Sequence, residues 1–306
     1  MSIVVVGTVA FDTVEAPWGK AERVIGGSAT YFSLAASHFT PVKLVAVVGA
    51  DFLAEHRTIL EDRGVDLEGL VVESGGKTFF WQGRYGEDPN ERETLCTELN
   101  VFERFRPELP ASYCSSRWLF LGNIDPDIQM NVLDQVAGRP FVGCDTMNFW
   151  IERKPESLAR LLRRIDILFV NDGEARQLSG RKNLVLAARD ILEMGPRALV
   201  IKKGEHGAFL FTKDFRFFAP AYPLHEVLDP TGAGDSFAGG FMGYLAGAAS
   251  FDERHLRRAM IYGTITASFA CESFSVERLR ALTDEHVAGR FAELVDLVKI
   301  ELDDLK

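Results

Sequence analysis

The sequence predicts an α/β protein built on a doubly wound, mostly parallel sheet, and three observations carry that expectation. Short apolar runs rich in β-branched and aromatic residues recur along the chain, many ending in Gly, Asn or Asp as buried strands do where they leave a sheet. Segments with helical spacing separate most of them. The strand-like runs are also apolar throughout and do not alternate, as expected of a sheet covered on both faces.

In chain order the strand candidates are IVVVG (3–7), LVAVVG (44–49), WLFLGN (118–123), FVGCD (141–145), ILFVN (167–171), ALVIKKG (198–204) and GAFLF (207–211). HEVLD (225–229) ends as a further strand would, with Pro230 stopping its ladder. Helices are expected after Gly26-Gly27-Ser28 in IGGSATYFSLAASHF (25–39) and in PESLARLLRRI (155–165), where Leu158, Leu161, Leu162 and Ile165 fall on one stripe. Further helices are expected over NLVLAARDILEM (183–194), SFAGGFMGYLAG (236–247) and 285–302, whose end, with Glu301, Asp303 and Asp304, reads as solvated. From Val71 to Phe105 the rhythm changes: KTFFWQGRY and TLCTELNVF read as strands, joined by the polar link GEDPNERE (86–93), and Asp12 to Ile25 supplies another strand. This β excursion, about 12–25 and 71–105, is read as a lid over a site, as a dimer-forming flap, or as both. No linker divides residues 1–306 into separate domains.

The 34 Lys and Arg against 44 Asp and Glu give a net charge of −10, which argues against coating a nucleic acid. Cys96, Cys114, Cys144 and Cys271 lie far apart without C-x-x-C spacing, so reduced structural thiols are expected. The start MSIVVVG lacks a basic segment ahead of an apolar one, and no apolar run approaches the ~20 residues of a membrane span. A cytoplasmic location is the expectation. The six histidines show no ligand spacing. GGKT (75–78) ends like a phosphate-binding loop, but Val71 stands where that loop needs Gly and strand-like residues follow, so it is set aside.

LDPTGAGDSFAGGF (228–241) carries more physics. Gly232, Ala233 and Gly234 leave backbone N–H groups uncovered at the start of a helix, which makes an anion site. The same dipole is expected to keep Asp235 ionised, so that it can accept a proton while the turn holds a transferring phosphoryl group. A plain helix cap accounts equally for one such Asp. Asn171 and Glu174 stand at a strand exit, suited either to a hydrated magnesium ion or to a capping box. Asp12 follows the first strand, at the sheet edge where open α/β folds bind ligands.

Together these residues resemble the ribokinase/PfkB family of carbohydrate and nucleoside kinases. DPTGAGDSFAGGF resembles its C-terminal signature, GGSATYFSLAA its N-terminal Gly-Gly signature, and Asn171-Asp172-Gly173-Glu174 its Asn-x-x-Glu magnesium motif. IKKGEHGAFLF resembles the paired strands whose turn borders the nucleotide. The resemblance implies a ribokinase-like three-layer αβα fold with a small β-sheet lid, and ATP-dependent phosphorylation of an alcohol. It implies Asp235 as the base and the backbone of Ala233, Gly234 and Asp235 as the anion hole, with Gly232 in the same catalytic turn. Asp12, Gly26, Gly27 and Asn148 are implied to hold the acceptor, and Asn171 and Glu174 to hold Mg²⁺ through water. ATP is implied to run past Lys202, Gly204, Gly207 and Thr231 toward TASFACESFS (266–275), which contains Ser268. Asp229, Thr231 and Ser275 are implied candidates for a monovalent cation such as K⁺. One position departs from the pattern: Tyr31 stands where many sugar kinases of the family carry Asn against the sugar. The departure is compatible with a flatter or less polar acceptor, on which Phe79, Phe80, Trp81 and Tyr85 could stack, though these aromatics read equally as the buried face of the lid. Arg84 is the lid cation to watch: it could pair with a substrate phosphate or carboxylate, and a solvated surface arginine is the plainer reading. A sugar or cyclitol is the first acceptor reading and a nucleoside the second. A binding protein without turnover is the reading from a different class.

Overall fold

Among the described residues, 1–299 of a computed structural model, the strands form two sheets. They are β1 (Ile3–Val6), β2 (Ala10–Ala16), β3 (Gly19–Gly26), β4 (Val42–Gly49), β5 (Asp66–Glu73), β6 (Phe79–Tyr85), β7 (Arg92–Glu98), β8 (Trp118–Leu121), β9 (Phe141–Asp145), β10 (Ile167–Asn171), β11 (Ala198–Lys202), β12 (Ala208–Thr212) and β13 (Arg216–Ala219). The large sheet runs β13-β12-β11-β10-β9-β8-β1-β4-β5 and is parallel except at β12 and β13. Its successive side chains divide into two cores, as a pleat requires. Ile3 and Val5 pack with the helices Ser28–Ala36, Ala233–Ala248 and Glu253–Ala270; Val4 and Val6 pack with Pro126–Gln135, Pro155–Leu162 and Leu184–Glu193. The result is the expected three-layer α/β sandwich.

The helix Ala233–Ala248 carries glycines that weaken a helix by roughly 1 kcal/mol each. Close packing explains them: a Cβ at Gly243 would sit 2.8 Å from the Ala36 Cα, and one at Gly240 2.7 Å from the Tyr262 carbonyl. The helix is thereby wedged between two neighbours, and its N-terminus is fixed against the sheet.

The second sheet, β3-β2-β6-β7, is the lid. Asp12 to Ile25 was expected to give one strand and gives a hairpin, β2 and β3. The other lid segment is shorter than 71–105: Val71 to Glu73 complete β5 in the large sheet, and beyond Glu98 the chain turns into a 3₁₀ helix, Asn100–Arg104. HEVLD is not a strand. The Leu228 N–H donates to the Cys271 carbonyl (2.8 Å) and the Leu228 carbonyl accepts from the Trp18 indole (2.8 Å), so these groups are committed to a helix end and the lid hairpin. The last described helix is Asp284–Leu297; the part of the expected stripe beyond residue 299, with Glu301, Asp303 and Asp304, lies outside the described residues.

Candidate active site

The carboxyl ends of the parallel strands converge where the strand order reverses around β1, which lies between β4 and β8. Asp145 ends β9, Asn171 ends β10 and Lys202 ends β11. The lid comes down over this edge and bonds to it: the Tyr85 hydroxyl lies 3.0 Å from the Thr231 hydroxyl, and Trp18 at the hairpin tip reaches Leu228.

Gly232 adopts φ +76°, and a Cβ there would be driven into the Tyr31 ring. Tyr31 is buried, so its ring is the support on which the glycine turn rests. Of the amides expected in the anion hole, that of Ala233 already donates to the Pro230 carbonyl (3.2 Å). The Gly234 N–H has no acceptor among the described residues, and Lys202 Nζ lies 2.9 Å from where a Gly234 Cβ would stand. The donors at this turn are therefore the Gly234 N–H and the Lys202 ammonium.

The sequence reading expected the helix dipole to hold Asp235 ionised. Burial wins instead, with Asp145 adding to it, and the carboxyl is pushed up to about 7 while Lys202 and Arg92 pull the other way. Asp145 was not singled out from the sequence; the terminal Asp of the apolar run FVGCD was its only signal. Its carboxylate pairs with Lys202 at 3.1 Å. Burial disfavours the Lys202 charge, but Asp145, Glu174 and Asp235 outweigh it and hold this ammonium above the usual lysine value.

Asp12 is buried on the inner face of the lid, and a Cβ on Gly26 would overlap its carboxylate. The Gly-Gly pair is thus required on steric grounds: Gly26 admits Asp12, and Gly27, at φ +94°, would strike the Thr8 carbonyl with any side chain. Burial and Asp229 push Asp12 up to about 7, opposed by the Gly27 N–H. Asn148 opens the short helix Asn148–Arg153 and is exposed.

Asn171 and Glu174 form a reciprocal capping box, both bonds 2.7 Å. Burial and the nearby Asp145 also push Glu174 up to about 7. Among the described residues no cluster of three or more His, Cys, Asp or Glu could hold a metal by itself. A hydrated Mg²⁺ sharing phosphate oxygens suits such a sparse donor set. The Asp229 carboxylate accepts from the N–H groups of Thr231 (2.9 Å) and Ser275 (3.2 Å), and Ser275 Oγ donates to the Ile25 carbonyl (2.5 Å). At the turn between β11 and β12 Gly204 and Gly207 have φ of +54° and +79°, and lid residue Asn90 lies against Gly204. Ser268 is buried and accepts from Arg290 (3.0 Å) while donating to the Ile265 carbonyl.

Arg84 is engaged within the lid itself. It pairs with Glu15 at 3.0 Å, opposite which it stands in the β2–β6 register, whereas Asp12 stands opposite Trp81. Strand alternation therefore puts Phe79, Trp81 and Tyr85 on the face that Asp12 shares, and Phe80 and Arg84 on the other, where Phe80 packs against the core beside Phe11 and Arg84 is exposed. The cation on the inner face is Arg92, opposite Tyr85 in the β6–β7 register, which the sequence reading had left inside a polar link.

A helix N-terminus built to hold an anion, with a carboxylate beside it and a lid above, defines a phosphotransferase of the ribokinase-like fold. Residues 2–280 match the model of the pfkB family carbohydrate kinases, and the chain belongs to that family. It is an ATP-dependent kinase with an alcohol as phosphoryl acceptor. It is 31% identical over 259 residues to the cytidine kinase of Thermococcus kodakarensis, covering 81% of this chain and 90% of that one. The crystal structure of the nucleoside kinase of Methanocaldococcus jannaschii superposes with a TM-score of 0.78 at 22% identity, over 95% of this chain and 98% of that one. A ribokinase II from E. coli in complex with ATP and Mg²⁺ gives a TM-score of 0.80 at 18% identity, covering 95% and 99%.

Proposed function

We propose that the acceptor is a nucleoside, one of whose sugar hydroxyls receives the γ-phosphoryl group of ATP. The observation that carries this reading is the inner face of the lid, where Phe79, Trp81 and Tyr85 line up beside Asp12. Aromatic faces stack on a base with little regard to its hydrogen-bonding pattern, at about 1–3 kcal/mol per base. The likeness to a cytidine kinase over most of its length supports the same reading.

Asp12 would accept from the sugar hydroxyls beside Gly26 and Gly27, and Asp235 would take the proton of the reacting hydroxyl. One bond forms, from the acceptor oxygen to the γ-phosphorus, as the bond from that phosphorus to the β,γ-bridging oxygen breaks, and ADP leaves. Gly234 and Lys202 would bind the phosphoryl oxygens as charge shifts among them. Mg²⁺, held through water by Asn171 and Glu174, would neutralise phosphate charge. Asp229, Thr231 and Ser275 would serve a K⁺ ion. The buried Asp229 carboxylate, raised in pKa by burial against three hydrogen bonds that favour its charge, is where a cation would relieve the cost.

The test is ATP consumption with Mg²⁺, with K⁺ present or replaced by choline, across nucleosides, sugars and cyclitols. A nucleoside should exceed every sugar in kcat/KM by at least about 100-fold, roughly 2.7 kcal/mol. A sugar or cyclitol turned over faster than all the nucleosides overturns the acceptor assignment.

A further inference from the structure

The site is crowded with carboxyl groups. Asp12, Asp145, Glu174, Asp229 and Asp235 surround a cleft that must admit a triphosphate, and the cation rising from the sheet, Lys202, is already paired with Asp145. Arg92 is the cation that comes from above. It opens β7 opposite Tyr85, so the two side chains share the inner face of the lid. Its guanidinium lies 5.5 Å from the centre of the Trp81 ring, on the same face as Tyr85, whose hydroxyl meets Thr231 of the glycine turn. Two residues before it, Asn90 touches Gly204 at the turn between β11 and β12. Arg92 therefore hangs between the two walls that donor and acceptor would occupy. Among the described residues it makes no ion pair, unlike Arg84 on the other face with Glu15 and Glu93.

We propose that Arg92 is a catalytic residue: brought down by the lid, its guanidinium binds the γ-phosphoryl oxygens opposite Gly234 and Lys202 while the group passes between oxygens. The cation is an arginine lying over an aromatic face, and its planar fork suits phosphate oxygens. Its charge also pulls the carboxyl groups of Asp12, Glu174 and Asp235 back down against the upward push of burial, so all three lie within its field. Because Arg92 belongs to the lid, the anion hole is complete only when the lid is shut. An open lid leaves Asp235 and water without that cation, which disfavours wasteful hydrolysis of ATP.

The inference uses the shown kinase activity and does not depend on the acceptor being a nucleoside. Arg92→Met and Arg92→Lys are compared with the wild type and with Lys20→Met, which removes a cation paired with Glu15 and Glu22 in the same lid. Arg92→Met should lower kcat by about 10²- to 10⁴-fold, with Arg92→Lys recovering part of the loss. Calorimetric titration should show a non-hydrolysable ATP analogue losing at least tenfold in affinity while ADP is unchanged, because only the former carries the group that Arg92 meets. Lys20→Met should leave both readouts alone. Arg92 is exposed on an edge strand, so thermal melts of the variants should match the wild type. A raised acceptor KM with unaltered discrimination between the analogue and ADP would assign Arg92 to the acceptor and overturn the proposal. Full activity of Arg92→Met would overturn it as well.

Discussion

Replacing Asp12 by Asn should make the protein more stable and a poorer enzyme. The Asp12 carboxyl is 5% exposed and is pushed from 3.8 to about 7, first by burial and then by Asp229. Its folded value lies above its unfolded one. Between those two pH values the folded chain keeps a proton that the unfolded chain has lost, so the stability contributed by this group falls as pH rises through that window and is level above it. At about 1.4 kcal/mol per pH unit, full ionisation of Asp12 costs the fold on the order of 4 kcal/mol. This is a ceiling, because the cleft beside it admits water. Asn has the same shape, carries no charge and keeps an oxygen for the Gly27 N–H, so the variant should gain about 1–4 kcal/mol at pH 8 and nothing near pH 4. Urea denaturation at pH 4, 6 and 8, read by tryptophan fluorescence, measures the difference. A variant no more stable than wild type at pH 8, or a gap that ignores pH, refutes the reasoning. The same substitution should weaken acceptor binding at least tenfold and leave ATP affinity alone, the exchange of stability for function expected at a site that holds strained charge.

Asp235→Asn should cut turnover by about 10³-fold or more with ATP affinity kept. Because burial and Asp145 hold the wild-type carboxyl near 7, wild-type kcat/KM should rise with pH through about 7, and the residual activity of the variant should show no such limb. Gly232→Ala combines a positive φ with a collision against Tyr31; it should cost at least about 2 kcal/mol in denaturant and lower kcat more than tenfold, and a wild-type melt would show that the turn is not as tight as it is drawn here. Tyr31→Asn removes the ring under that turn, so it should lose about 3 kcal/mol of stability together with turnover, whereas Tyr31→Phe should keep both. A shifted acceptor profile with unchanged melting in Tyr31→Asn would return Tyr31 to the role of a simple selector.

Tyr31 shows how a residue can be found in the sequence and still be placed by the structure. Its departure from a family pattern is visible in the chain, but that its ring carries Gly232 depends on two helices meeting, Ser28–Ala36 and Ala233–Ala248. Arg84 and Arg92 differ in the same way. Alternation along FFWQGRY fixes which side chains share a face, but with Phe79 and Trp81 on one and Phe80 on the other, apolar character does not say which face meets the body. The pairing of β6 with β2 decides it, since β2 carries Asp12. Arg92 was hidden inside GEDPNERE because a polar link and the first residue of an exposed edge strand have the same composition.

The sequence by itself determined the alternation of strands and helices, the glycine turn before Asp235, the Gly-Gly before a helix and the Asn-x-x-Glu at a strand exit. Each of these is local: it follows from periodicity, from capping chemistry or from a backbone that a Cβ would obstruct. Only the tertiary structure decided that HEVLD is no strand, because its backbone groups find partners in Cys271 and Trp18, far off in the chain. Only it brought Asp145 to Lys202 and turned that lysine onto Gly234. It also made burial outweigh the helix dipole at Asp235, since desolvation is set by everything packed around a group, and no single stretch of sequence contains that sum.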